Sequence, residues 1–297
     1  TDLGGSLRLP ASFCGIVGLR PSPGRVPTGP RAQPFDVLMV GGPMGRTVAD
    51  VALMLDAMAG EHPEDPLSLP APPTPFREAA RRPAVPPRIA YSDDLGLTPV
   101  EREVAEICRR AAASLESVGA RIDEAHPDLS GAGEVFQVLR GLWFAVERAA
   151  LLAEHRPRLK PEVVWNIEYG LGLTAADIAR AEAARAALLR RAAAFFARYD
   201  LLLCPTVIAP PFDVDLRYLT EAAGVKLETY VDWLILTSAT TLLSHPAISI
   251  PCGFTADGLP VGLQIIGRPH GEWDLLRAAA ALEEAFGIAG RLPIDPR

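Results

Sequence analysis

Two periodicities alternate along this chain, and the places where one gives way to the other mark its elements. Apolar residues run almost unbroken over Leu201–Pro205, Ala247–Cys252 and Val261–Arg268, as they do in strands buried on both faces. Arg88–Ser92 and Ala120–Ala125 read as further strands. Helical spacing fills the intervals. A Thr47/Asp50 capping box opens a helix that runs to Ala59, with Gly60 as terminator. Thr98 is expected to cap a second helix, with Pro99 at its first position, Glu101 completing the box and Gly119 ending it. Thr174 and Asp177 open a long Ala/Arg-rich helix to about Tyr199, and a last helix runs from about Glu272 to Phe286, closed by Gly287. Trp233 to Ala256 lacks Asp, Glu, Lys and Arg, but holds His245, Pro246, Pro251 and several hydroxyls. It reads as a buried helix followed by a strand, not as a membrane segment. This order predicts an α/β fold layered around a mostly buried sheet. Residues 61–88 break the pattern with nine prolines and read as a surface loop or linker.

Composition narrows the function classes. At 297 residues and 49% hydrophobic, the chain can build the core of one large or two modest domains. A net charge of −7, with no basic patch, speaks against direct nucleic-acid binding. Cys14, Cys108, Cys204 and Cys252 are scattered singly, which points away from zinc or a disulfide framework and towards reduced, mostly buried thiols. No H-E-x-x-H, P-loop or dinucleotide-binding pattern is present, so no metal or cofactor is implied. The composition fits a soluble cytosolic enzyme, so a cytoplasmic protein is expected, and a homodimer is compatible with it.

The chemistry concentrates in Thr1-Asp2-Leu3-Gly4-Gly5-Ser6-Leu7-Arg8-Leu9-Pro10. Two glycines before a serine permit a tight turn that aims several N–H groups at one point while a hydroxyl faces it. Acyl transfer needs that arrangement, a nucleophile beside an oxyanion hole. Asp2 and Arg8 bracket the turn with opposite charges suited to holding it in shape. By itself, a Gly-Gly-Ser segment is an ordinary flexible loop. The glycine-punctuated run Ala11–Val26 that follows suits close packing beneath a site.

Residues 1–26 resemble the amidase signature family, whose pattern reads approximately G-T-D-x-G-G-S-[IL]-R-x-P-A-x-x-C-G-x-x-G-L-[KR]-P-[ST]-x-G-R-[VI]. The likeness continues through Gly42-Pro43-Met44-Gly45-Arg46-Thr47-Val48-Ala49-Asp50, His245-Pro246-Ala247-Ile248-Ser249-Ile250-Pro251 and Asp257 to Arg268. It is weakest around residues 61–88 and 130–170. The resemblance implies a mixed β-sheet core with helices on both faces, residues 1–297 being the C-terminal part of a single amidase domain and 61–88 an insertion in it. It also implies hydrolysis of a small-molecule carboxamide through a serine acyl-enzyme. Ser6 would be the nucleophile, and the N–H groups of Leu3, Gly4, Gly5 and Ser6 the oxyanion hole.

The family's other triad members, a cis-bonded serine and a lysine, lie upstream of its nucleophile. Here the only lysines are Lys160 and Lys226, in no family motif, and His62, His126, His155, His245 and His270 have no spacing that favours a triad. The chain by itself is therefore expected to be close to inactive. Phe212, Tyr218, Tyr230 and Trp233 are candidates for an apolar acyl or aryl pocket, although core packing accounts for each singly. Many family members carry an asparagine just before P-A-I-S, where this chain reads Thr240-Thr241-Leu242-Leu243-Ser244-His245. Two alternatives stay open: the glutamine-hydrolysing component of a tRNA-dependent amidotransferase, and a non-catalytic remnant or scaffold module.

Overall fold

The computed structural model describes residues 1–287; residues 288–297, the end of the expected domain, lie outside them. In chain order the elements are α1 (Arg8–Cys14), β1 (Val17–Arg20), β2 (Met44–Gly45), α2 (Val48–Met58), α3 (Phe76–Ala80), β3 (Arg88–Tyr91), α4 (Arg102–Ala113) and β4 (Arg121–Glu124). Then come α5 (Ala132–His155), α6 (Pro161–Leu171), α7 (Ala175–Phe196), β5 (Leu201–Pro205), a two-stranded hairpin of β6 (Glu221–Ala222) and β7 (Val225–Lys226), α8 (Ile235–Leu242), β8 (Ala247–Phe254), β9 (Pro260–Ile266) and α9 (Glu272–Phe286).

Seven strands form one mixed sheet in the order β2-β1-β8-β9-β5-β3-β4. β3 runs parallel to β4 and β5, and the other pairs are antiparallel. Alternation along the central strands splits the core in two. Leu202, Cys204, Ala247 and Ile266 pack with residues of α5, α7 and α8. Leu201, Leu203, Ile248, Ile250 and Ile265 pack with residues of α2, α4 and α9. Helices thus cover both faces, which is why the central strands read as apolar runs.

The Thr47/Asp50 and Thr174/Asp177 capping boxes form as the sequence predicts, and Gly287 closes α9 in the left-handed region. One predicted start is wrong. The helix expected at Thr98 begins at Arg102, and neither Thr98 nor Glu101 caps it through a side-chain hydrogen bond. Tertiary contacts claim Glu101 instead. Its N–H donates to the Ile208 carbonyl at 2.8 Å and its carboxylate accepts the Ala223 N–H at 2.6 Å, holding its backbone outside helical angles. Before Gly119, a turn of 3₁₀ helix over Ser114–Val118 extends α4. Residues 130–170 fold as the paired helices α5 and α6, and the proline-rich stretch contains α3, whose Phe76 is buried. No helix among the described residues is long and apolar enough to cross a membrane.

Candidate active site

Asp2 organises the turn that leads into α1. Its Oδ1 accepts the Gly5 N–H at 2.8 Å and its Oδ2 the Leu7 N–H at 3.2 Å, tying the start of the turn to its middle and end. The Arg8 guanidinium lies against the same carboxylate, Nε to Oδ2 and Nη2 to Oδ1, both at 3.0 Å. Arg20, at the end of β1, adds Nη1 contacts to the Asp2 carbonyl at 2.7 Å and to Oδ1 at 3.2 Å. All three side chains are fully buried. Burial alone would raise the Asp2 pKa, but the two guanidiniums and the hydrogen bonds from Arg8 and Leu7 outweigh it and hold the carboxyl at about 2. Burial pushes Arg20 down to about 10, against the pull of Asp2. Two cations against one anion leave the triad with a net positive charge beneath the turn, which favours negative charge developing above it.

The remaining Arg8 donors reach across the fold. Nη1 donates to the Thr237 carbonyl, Thr240 Oγ1 and Gln264 Oε1 at 3.0, 2.7 and 2.6 Å, and Nη2 to Thr241 Oγ1 at 2.8 Å. Thr237, Thr240 and Thr241 share one face of α8 at i, i+3, i+4 spacing. The Thr237 hydroxyl donates in turn to the Gly4 carbonyl at 2.7 Å. Side chains do not fit inside this turn. A Cβ on Gly4 would stand 2.5 Å from Phe136 Cζ, and one on Gly5, at φ 141°, would collide with Thr237 Oγ1 and Leu9 Cδ1.

Ser6 stands exposed at the crest of the turn. Among the described residues, the N–H groups of Leu3, Gly4 and Ser6 meet no acceptor, whereas that of Gly5 is occupied by Asp2. No lysine or histidine is hydrogen-bonded to the Ser6 hydroxyl there. Lys160 is exposed just before α6 and Lys226 on β7, and His245 is buried with Nδ1 2.7 Å from the Gly267 carbonyl.

The four pocket aromatics fall into two groups. Phe212 and Trp233 gather around Phe13 of α1, with ring centroids 5.6 to 6.2 Å apart. Trp233 lies one helical turn before Thr237, so this cluster adjoins the Gly4–Ser6 turn. Tyr218 and Tyr230 pair with each other, and Tyr230 faces the Arg140 guanidinium at 5.7 Å. A hollow of about 960 Å³ between α7 and the segment around Leu243–His270 contains neither Ser6 nor any of these aromatics. The position of Ser6 and its N–H groups, not cavity size, therefore locates the candidate site.

Sequence reasoning missed Arg20, Phe13, Phe136, Thr237 and Gln264 as members of the site. Two signals were present. Gln264 is the one amide in a buried apolar strand, and three threonines recur at helical spacing in a segment without charges. Thr240 and Thr241, which stand just before His245 where the chain departs from the family pattern, are Arg8 ligands.

Comparison with known proteins gives a consistent result. A family model described as Amidase matches residues 1–276. An acylamidase of Rhodococcus erythropolis is 37% identical over 300 residues, covering 99% of this chain and 62% of that protein. The A component of the glutamyl-tRNA(Gln) amidotransferase of Moorella thermoacetica is 34% identical over 321 residues, covering 99% and 64%. The crystal structure of a bacterial aryl acylamidase, one of the amidase signature enzymes, superposes with a TM-score of 0.84 at 26% identity, over 99% of this chain and 64% of that one. The chain thus spans less than two thirds of the length of each of these proteins.

Proposed function

The chain belongs to the amidase family, and on that premise we propose that it carries the nucleophile and oxyanion support of a serine amidase acting on small carboxamides. The observation that carries this reading is the Asp2–Arg8–Arg20 triad, which holds Ser6 exposed beside three N–H groups with no acceptor. Ser6 Oγ attacks the amide carbonyl carbon and its proton passes to a base. The oxyanion takes hydrogen bonds from the N–H groups of Leu3, Gly4 and Ser6, while Gly5 shapes the turn and gives its own N–H to Asp2. Collapse of the tetrahedral intermediate transfers a proton to the leaving nitrogen and frees ammonia or an amine. Water then attacks the acyl-Ser6 ester and releases the acid.

The base is proposed to come from the part of the relatives' length that this chain does not span, because Lys160 and Lys226 are exposed, one just before α6 and the other on β7. A serine without its base is a weak nucleophile, and oxyanion stabilisation and binding alone leave about 10³-fold over water. The aromatic cluster of Phe13, Phe212 and Trp233 supports an acyl or aryl substituent on the substrate. Similarity to the Moorella amidotransferase supports a second reading, in which the carboxamide is that of glutamine and the ammonia goes to a partner. Comparing turnover of an anilide and of glutamine separates the two.

A fluorophosphonate probe tests the site. Strong labelling of a full-length protein, weak labelling of these 297 residues alone and none after Ser6→Ala are expected. Undiminished labelling of Ser6→Ala would remove Ser6 as the nucleophile. Equal labelling of the two lengths would place the base inside this chain. A full-length protein that neither labels nor turns over amides would favour a non-catalytic module.

A further inference from the structure

Two thiols far from Ser6 in sequence meet between α4 and the sheet. Cys108 Sγ lies 3.8 Å from Cys252 Sγ, and Cys108 also sits 3.8 Å from the Gly262 carbonyl. A disulfide needs about 2.05 Å between the sulfurs, so closure asks for less than about 2 Å of movement. The strand is built to give at that point. β8 pairs with β9 through Pro251↔Gly262 and then Gly253↔Val261, a register shift that leaves Cys252 without a partner in the ladder. A bulged residue moves more easily than one held in the ladder on both sides.

The two sulfurs differ in access. Cys252 is partly exposed, whereas Cys108 is fully buried, and burial pushes its thiol well above the ordinary range. The other two cysteines stand apart from this pair. Cys204 accepts the Gln264 Nε2 hydrogen at 3.2 Å, and Cys14 is exposed at the end of α1.

We propose that Cys252 and Cys108 form a thiol-oxidation site for small disulfides, with Cys252 as the entry thiol and Cys108 as the resolving one. The Cys252 thiolate attacks a disulfide R–S–S–R, forming Cys252–S–S–R and releasing RS⁻. Cys108 then attacks Cys252 Sγ, the second RS⁻ leaves, and the Cys108 proton goes to it. In total, two protein thiols and one disulfide give one protein disulfide and two RSH. The new bond ties α4 to β8 across a long stretch of chain and restricts the unfolded state. A small reducing thiol reverses it.

Incubation of the protein with oxidised glutathione, followed by alkylation, intact mass and a tryptic map, tests this. Trypsin leaves each of the four cysteines on a separate peptide. The expected product has lost two hydrogens, yields a linked Cys108–Cys252 peptide pair, and melts about 5 °C or more above the reduced form until dithiothreitol is added. Cys252→Ser should abolish all three effects. Cys108→Ala should hold glutathione on Cys252 as a mixed disulfide that the wild type does not accumulate. A wild type that keeps a stable glutathione adduct on Cys252, pairs Cys252 with another cysteine, or remains fully reduced would overturn the proposal without reference to either variant's stability.

Discussion

The Asp2 carboxylate and the Arg8 guanidinium lie side by side, two contacts of 3.0 Å each, with neither side chain reaching solvent. Six residues apart in sequence, they clamp the two ends of the turn that presents Ser6. Because Arg8 also gathers Thr237, Thr240, Thr241 and Gln264, the pair joins α1 to α8 and β9.

Asp2→Ala leaves two buried guanidiniums without their carboxylate and is expected to cost about 3–5 kcal/mol of unfolding free energy. Urea unfolding followed by circular dichroism measures it. A loss under about 1 kcal/mol would mean that the triad does not hold the turn.

Acid should destabilise the protein in two stages. Burial, partly offset by the Gly267 hydrogen bond, depresses His245 from 6.5 to about 4. The unfolded chain therefore takes up a proton from about pH 6.5 downward while the native one does not, and stability on the order of 3 kcal/mol is lost by about pH 4. Asp2, depressed from 3.8 to about 2, contributes stability that is present above pH 3.8 and lost as pH falls through 2. His245→Asn, which keeps a donor for Gly267, should flatten the upper stage only. An unchanged slope between about pH 6.5 and 4 in that variant would rule out His245 as its source.

Gly5→Ala forces a side chain to φ 141° and into Thr237 and Leu9. The expected cost is about 1–3 kcal/mol, with fluorophosphonate labelling slowed by at least about tenfold. Labelling at the wild-type rate would show that this geometry is not needed to present the serine.

Trp233→Ala removes one wall of the aromatic cluster. In a protein that also carries the proposed base, KM for an anilide should rise roughly tenfold while that for a short aliphatic amide stays within about twofold. Equal changes for both substrates would place the cluster outside the acyl or aryl pocket.

Much of the sheet was legible in advance because its central strands are buried on both faces. β5 falls on the predicted residues, and β8 and β9 lie within two residues of their expected ends at every boundary. Helix starts were legible where a capping box satisfies its own N–H groups, as at Thr47 and Thr174. At Thr98 the same signal failed, since Glu101 had stronger partners in Ile208 and Ala223. Local pattern reasoning does not see a competitor that arrives from more than a hundred residues away.

The alternation of strand and helix, the glycine-glycine-serine turn and the opposite charges that bracket it can be read from the chain alone, because they depend on residues adjacent in it. What that turn rests on comes from packing between distant elements. Beyond Asp2, Arg8 finds its acceptors 229 to 256 residues away, and Gly4 is held between Phe136 and Thr237. Such contacts follow from how α5, α8 and β9 pack around α1, and buried polar groups take whatever partner that packing brings within hydrogen-bond reach.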